Sequence, residues 1–185
     1  KWNNNEKLHQ VTLTAPFYLG KHEVTQGQWK KVMGNNPSDF KAVGDDAPVE
    51  RVSWHDCTNF MAKLAALEGL PEGSCRLPTE AQWEYACRAG SRGRFCHGDD
   101  DADLGQYAWY GENRDLKTRE VGTKKPNSWG LYDMHGNVWE WCWDWYGSYS
   151  SSPQTDPCGP STGTHRLMRG NSYKDVAYFC RVALR

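Results

Sequence analysis

The sequence predicts an α+β domain, and three observations carry that reading. Three stretches begin at a Ser or Thr cap, keep helical spacing and stop at glycine. A fourth stretch, "GNVWEWCWDWYG" (136–147), places Trp139, Trp141, Trp143 and Trp145 at every second position, the period of a strand. Much of the remainder is irregular chain punctuated by 18 glycines. Helices and short strands without βαβ alternation point to segregated elements around one core.

Each element follows from its residues. "HQVTLTAPFYLGKHEVT" (9–25) is β-branched and aromatic with broken alternation, and reads as one or two strands. Thr25 then caps "QGQWKKVMG", with Trp29, Val32 and Met33 on one side and Gly34 as the stop. After a long loop, Ser53 caps a helix with Asp56 three residues on, a variant capping box. Phe60, Leu64 and Leu67 form its apolar face, and Gly69 ends it. In "RLPTEAQWEYACRAG" (76–90), Thr79 and Gln82 make a T-x-x-Q capping box. Trp83 and Ala86 share a face with Cys87, and Gly90 is the stop. Regularity fades from 91 to 130. After the Trp-rich strand and a Ser/Pro/Gly loop (147–164), "HRLMRGNSYKDVAYFCRVALR" reads as one or two closing strands.

Composition narrows the function classes. A chain of 185 residues suits one domain with a core of its own. Its net charge of -1 argues against a dedicated nucleic-acid binder. No apolar run approaches the roughly 20 residues of a membrane span. No signal peptide is visible, and a start at Lys1 is consistent with a trimmed N-terminus. The seven cysteines (57, 75, 87, 96, 142, 158, 180) contain no CxxC pair and cannot all pair within one chain. The compartment therefore stays open: extracellular or cell-surface display is compatible with the sequence, and so is the cytoplasm. The six histidines show no metal spacing, and His135 reads as a loop residue. "GDDDAD" (98–103) is dense in carboxylates but lacks an EF-hand pattern, so it reads as a solvated acidic loop. No Ser/His/Asp set, GxSxG, HExxH or phosphate-binding glycine loop is present.

"FYLGKHEVTQGQW", "PVERVSWHDC", "CRLPTEAQWEYACRAG", "VGTKKPNSWGLYDMHGNVWEW" and "HRLMRGNSY" together resemble, in this order, the formylglycine-generating enzyme (sulfatase-modifying factor) domain family. The resemblance runs from about residue 9 to 185. It implies a variant of the C-type lectin fold, with two helices flanking small antiparallel sheets. It implies a single domain over 1–185 that lacks the family's extreme N- and C-terminal strands, including a final "GFR" strand. In this family "GNVWEW" is framework, so Trp139 and Trp141 are expected in the core. For Trp143 and Trp145 the choice among core, sugar platform and partner surface stays open.

Family enzymes oxidise a sulfatase cysteine with O2 and a copper(I) ion held by two cysteines, soft donors suited to that ion. Those thiols lie at the second and seventh residues after "GGSY". Here the motif reads "GNSY" (170–173), the second residue is Asp175 and the seventh is Cys180. Copper is therefore not expected, and if the chain were an enzyme Cys180 would be its catalytic residue. The resemblance also suggests a Cys87–Cys180 disulfide. It implies a structural calcium held by the Asn137 side chain, the Val138 carbonyl and the Glu140 carboxylate, oxygen donors suited to that ion. A second family calcium site falls in 107–120, where no ligands can be matched.

A subset of the family comprises the variable proteins of diversity-generating retroelements, whose asparagine codons are scattered to give Tyr, Asp, Val, Phe and Leu. Tyr173, Asp175, Val176, Tyr178, Phe179 and Leu184 match such a set, and Lys174 does not. With Trp143 and Trp145 they form the expected ligand-binding residues, for a protein or surface-glycan ligand. Tyrosine offers rigid contact area with a hydroxyl handle. Ordinary strand residues, half of them core, are the competing reading. Three functions are compatible with these features: a non-catalytic lectin-like binding domain, a copper-dependent formylglycine-generating oxidase, or a regulatory or structural domain of a larger protein. Oligomeric state and ligand identity are not encoded in any motif.

Overall fold

The computed structural model describes residues 6–113 and 116–185. In chain order the elements are β1 (Val11–Thr12), α1 (Gln26–Met33), α2 (Trp54–Leu67), α3 (Glu80–Arg88), α4 (Leu104–Tyr107), β2 (Glu140–Trp145), β3 (Gln154–Thr155) and β4 (Arg166–Arg169). Single 3-10 turns lie at 41–43, 101–103 and 177–180. β2 and β4 pair antiparallel, while β1 and β3 form a short parallel pair.

The helices start where their capping side chains lie. Thr25, Ser53 and Thr79 each accept the N–H three residues on, and Gln28, Asp56 and Gln82 each accept the cap's own N–H. Two otherwise orphaned donors are satisfied at each start. Gly34, at φ 79°, ends α1. α3 stops one residue before Gly90, at Ala89 in the left-handed region.

Three apolar clusters make the core. Trp29 of α1 stacks on Phe60 of α2 with ring centroids 5.0 Å apart, beside Val49. Trp83 and Cys87 of α3 pack on Met134, Cys142, Leu167 and Val182. Phe95, Leu104, Ala108 and Tyr110 surround Cys180. Arg169 of β4 is fully buried and bridges to Glu80 and Glu84 of α3, while donating to the Leu184 carbonyl.

The Trp-rich strand faces the opposite way from expectation. Cys142 and Asp144 are buried, whereas Trp143 is 41% exposed and Trp139 and Trp141 are only half-buried. Trp139 and Trp141 are therefore not core residues. The inward face is the one that can meet α3: Cys142 joins the Trp83 cluster, and the Asp144 carboxylate accepts the Glu80 N–H at 2.8 Å in the first turn of α3. Burial, with the nearby Glu80 carboxylate, pushes Asp144 up to about 6. The closing segment also departs from expectation. Only Arg166–Arg169 is strand, and residues 177–180 form a 3-10 turn.

Irregular chain is held by one tripeptide, His135-Gly136-Asn137. The His135 ring is buried, and its Nε2 accepts the Cys96 N–H at 3.0 Å. That acceptor fixes the tautomer, so Nδ1–H donates to the Cys180 carbonyl at 2.8 Å. Burial pulls the imidazole down to about 4, and it is neutral at physiological pH. A Cβ on Gly136 would sit 2.2 Å from the Trp109 carbonyl oxygen, so only glycine fits. Asn137, at φ 66°, uses every polar atom. Its N–H donates to Trp109, its carbonyl accepts from Tyr173, and its Oδ1 accepts the Arg119 N–H. Its Nδ2 donates to the Glu23 carboxylate and the Arg119 carbonyl.

Asn137→Ala removes three side-chain hydrogen bonds and leaves Glu23 and the Arg119 N–H buried with fewer partners. The expected loss is roughly 4 kcal/mol of unfolding free energy, read by urea titration. Asp144 gives a pH signature. Its folded-state value lies above the ordinary carboxylate value near 4, so folding takes up a proton between the two. Its contribution is present below pH 4 and is lost as pH rises through 6, by about 3 kcal/mol. Asp144→Asn keeps an acceptor for the Glu80 N–H and should flatten that slope.

Candidate ligand surface at the end of the chain

After β4 the chain turns sharply at Gly170 (φ 90°) and Asn171 (φ 64°). A Cβ on Gly170 would meet Trp83 at 3.3 Å and Glu140 Oε1 at 3.4 Å. Asn171 Nδ2 donates to the Phe179 carbonyl and closes the loop across eight residues. Inside it, Asp175 Oδ2 accepts the Ser172 N–H and hydroxyl at 2.9 and 2.8 Å, and the Asp175 carbonyl accepts the Gly111 N–H. The segment 170–180 is thus tied to the 110 region, to Asn137 and to itself.

The expected ligand residues divide. Tyr173 is buried, edge-on to Phe40 at 5.5 Å, and is a packing residue rather than a contact residue. The Asp175 carboxylate is spent on Ser172, and Leu184 is half-buried beside Arg169. Val176, Tyr178 and Phe179 are 49%, 51% and 43% exposed on the 177–180 turn. Tyr178 and Phe179 meet edge to face at 5.3 Å, and the Arg181 guanidinium covers Tyr178 at 3.8 Å while pairing with Glu6.

Trp143 and Trp145 belong to a different surface. They gather round Arg166 of β4, whose guanidinium lies 3.6 Å from the Trp145 ring centroid and 3.7 Å from that of Trp54. Among the described residues no ring contact joins this group to Tyr178 and Phe179. Because Tyr173 is buried, the expected residues do not all line one exposed patch. Trp54 and Arg166 carry no signal of this role in the sequence, because they are distant in the chain and lie outside the period-two stripe.

Cys180 is buried, with Sγ 3.7 Å from the Val176 carbonyl. Burial and the nearby Asp175 and Glu112 carboxylates push its thiol up to about 12. Cys180 is a single soft donor, and a hard carboxylate, Asp175, stands where a second thiol would be needed. This donor set does not fit a two-thiolate copper(I) centre. The expected Cys87–Cys180 bridge is not formed, and all seven cysteines are free thiols. The reason is His135: Cys87 Sγ lies 3.9 Å from its Nε2, while its Nδ1 faces the Cys180 carbonyl. The imidazole stands between the two.

The expected calcium ligands are placed as follows. The Asn137 amide is committed to Glu23 and Arg119. Asp133 lies in the same "DMHGN" run. Its Oδ2 accepts the Gly122 N–H at 2.7 Å, whereas its Oδ1 is buried with no partner. Burial, then the charge of Asp133, pushes Glu140 up to about 7. The Val138 carbonyl and Glu140 Oε1 both lie within 4 Å of the same point beside Gly170. Both are hard oxygen donors, of the type that suits calcium. Among the described residues no helix is long and apolar enough to cross a membrane.

Residues 2–185 match the sulfatase-modifying factor enzyme 1-like domain. The formylglycine-generating enzyme of Streptomyces coelicolor is 41% identical over 188 residues, covering 92% of this chain and 55% of that protein. Chaperone protein LppX of Paenibacillus barcinonensis is 35% identical, covering 88% of this chain and 71% of that protein. Among solved structures, Treponema denticola variable protein 1 superposes with a TM-score of 0.87 at 36% identity, over 95% of this chain and 79% of that one. The chain spans about half the length of the formylglycine-generating enzymes it matches, 55% of the Streptomyces protein and 48% of the mouse one. On sequence and backbone alike, the chain belongs to the sulfatase-modifying factor enzyme 1-like domain family, with the family's C-type lectin-like fold.

Proposed function

We propose that this domain binds a ligand rather than oxidising one, through the surface of Val176, Tyr178 and Phe179. The observation that carries this reading is the pair at 175 and 180. Asp175 is bonded to Ser172, and Cys180 is a buried neutral thiol, so the two residues that would hold copper build a turn instead. The same turn lifts two aromatics and a valine into solvent on a loop fixed by Asn171, Gly111 and Asn137. Large aromatics on a pinned backbone lose little entropy on binding. The likeness to a variable protein, with residue types matching scattered asparagine codons, supports a retroelement-diversified surface for a protein or glycan ligand.

Incubation with copper(I), O2 and a sulfatase-type cysteine peptide should leave the peptide mass unchanged. Loss of sulfur with formylglycine formation would contradict the reading. Tyr178→Ala and Phe179→Ala should each leave stability within about 0.5 kcal/mol, as for exposed positions. A larger loss would make them core.

We also propose that calcium is held by Asp133, the Val138 carbonyl and Glu140. Adding calcium should raise Tm by several degrees in the parent and not in Asp133→Asn. An equal rise in both would contradict this ligand set.

A further inference from the structure

The outer face of β2 carries a second site, independent of the surface at 176–179. Arg166 lies over the indoles of both Trp54 and Trp145, each ring centroid within 3.7 Å of its central carbon. Trp143 packs on Trp54 at 5.2 Å and reaches the guanidinium at 5.8 Å. One N–H of Arg166 donates to the Trp143 carbonyl, which fixes the plane of the fork. Among the described residues no carboxylate forms a salt bridge with it. Asp144, behind it on the buried face, gives its carboxylate to the Glu80 N–H. His165, the preceding residue, is bonded to Thr164. Contact with two aromatic rings holds a cation that has no salt-bridge partner among the described residues and feels the Asp144 carboxylate only at longer range, with donors to spare.

We propose that this face binds an acidic saccharide, a uronate-type pyranose. The Arg166 fork takes the ring carboxylate, and the exposed face of Trp143 packs against the apolar C–H face of the sugar. A planar guanidinium recognises a carboxylate through paired N–H donors. An indole provides apolar area that water otherwise covers. Both features sit within one sugar ring's reach, and a uronate carries a carboxylate and an apolar face on one rigid unit. An acidic peptide side chain presents the carboxylate on a flexible stem without such a face. Neutral sugars leave the cation unmatched.

The test is titration of the folded chain with tetragalacturonate, followed by tryptophan fluorescence and calorimetry. Maltotetraose and a tetraglutamate peptide are the comparison arms. Saturable binding of tetragalacturonate is expected, at least tenfold tighter than either comparison. Trp143→Ala should weaken it at least tenfold in a chain that circular dichroism shows still folded. Arg166→Lys, which keeps the charge but not the fork, should also weaken it at least tenfold. No saturable binding of tetragalacturonate would overturn the proposal. So would equal binding of maltotetraose, equal binding of tetraglutamate, or insensitivity to Trp143→Ala. Tyr178→Ala should leave this binding unchanged, which separates failure here from failure of the surface at 176–179.

Discussion

Asn137 is the residue on which the irregular part of this fold depends. Its five polar contacts reach Trp109, Tyr173, Arg119 and Glu23, which lie on four separate stretches of chain. His135, two residues earlier, ties Cys96 to Cys180 in the same way. A regular sheet satisfies its backbone groups by ladder bonds. Here the strands run two to six residues, so buried side chains must act as the partners. The left-handed backbone of Asn137 and the missing Cβ of Gly136 are what let the chain pass under Trp109. Glu23 completes the arrangement by accepting from both the Asn137 amide and the Val138 N–H.

The same hub positions the end of the chain. Tyr173 is pinned by its N–H to Asn137 and packed on Phe40, and Asp175 is pinned through Ser172 and Gly111. The next four residues are held by these anchors, and three of them present their side chains to solvent. Residues that look like one variable set therefore separate into anchors, Tyr173 and Asp175, and presented side chains, Val176, Tyr178 and Phe179. An oxidase would need soft ligands and an accessible thiolate at this turn. The chain has instead a carboxylate spent on a loop and a thiol kept neutral by burial beside two carboxylates.

Local chemistry is legible in the sequence. All three long helices begin at the Thr or Ser that caps them, because a capping box is settled within four residues. Faces are not legible in the same way. Alternation in 136–147 reveals a strand but cannot say which side meets α3. Hydrophobicity alone points the indoles inward, whereas Cys142 fits against Trp83 and Asp144 caps α3. The surroundings of Asn137 are illegible for a similar reason. Asparagine is a fair calcium ligand by type, and only the three-dimensional arrangement shows its amide consumed and the Asp133 oxygen left over. Trp54 and Arg166 join across more than a hundred residues, and no local signal in the chain pairs them.

In the proposed reading, Asp175 stands where family enzymes carry a thiol and leaves the family framework without a copper(I) site. A copper(I) competition titration against a chromophoric chelator, on the parent chain and on Asp175→Cys, tests this most directly. The parent should surrender copper(I) to the chelator, and Asp175→Cys should retain it at one equivalent. Retention by the parent would contradict the claim, because it would require a soft partner for Cys180 that this fold does not supply.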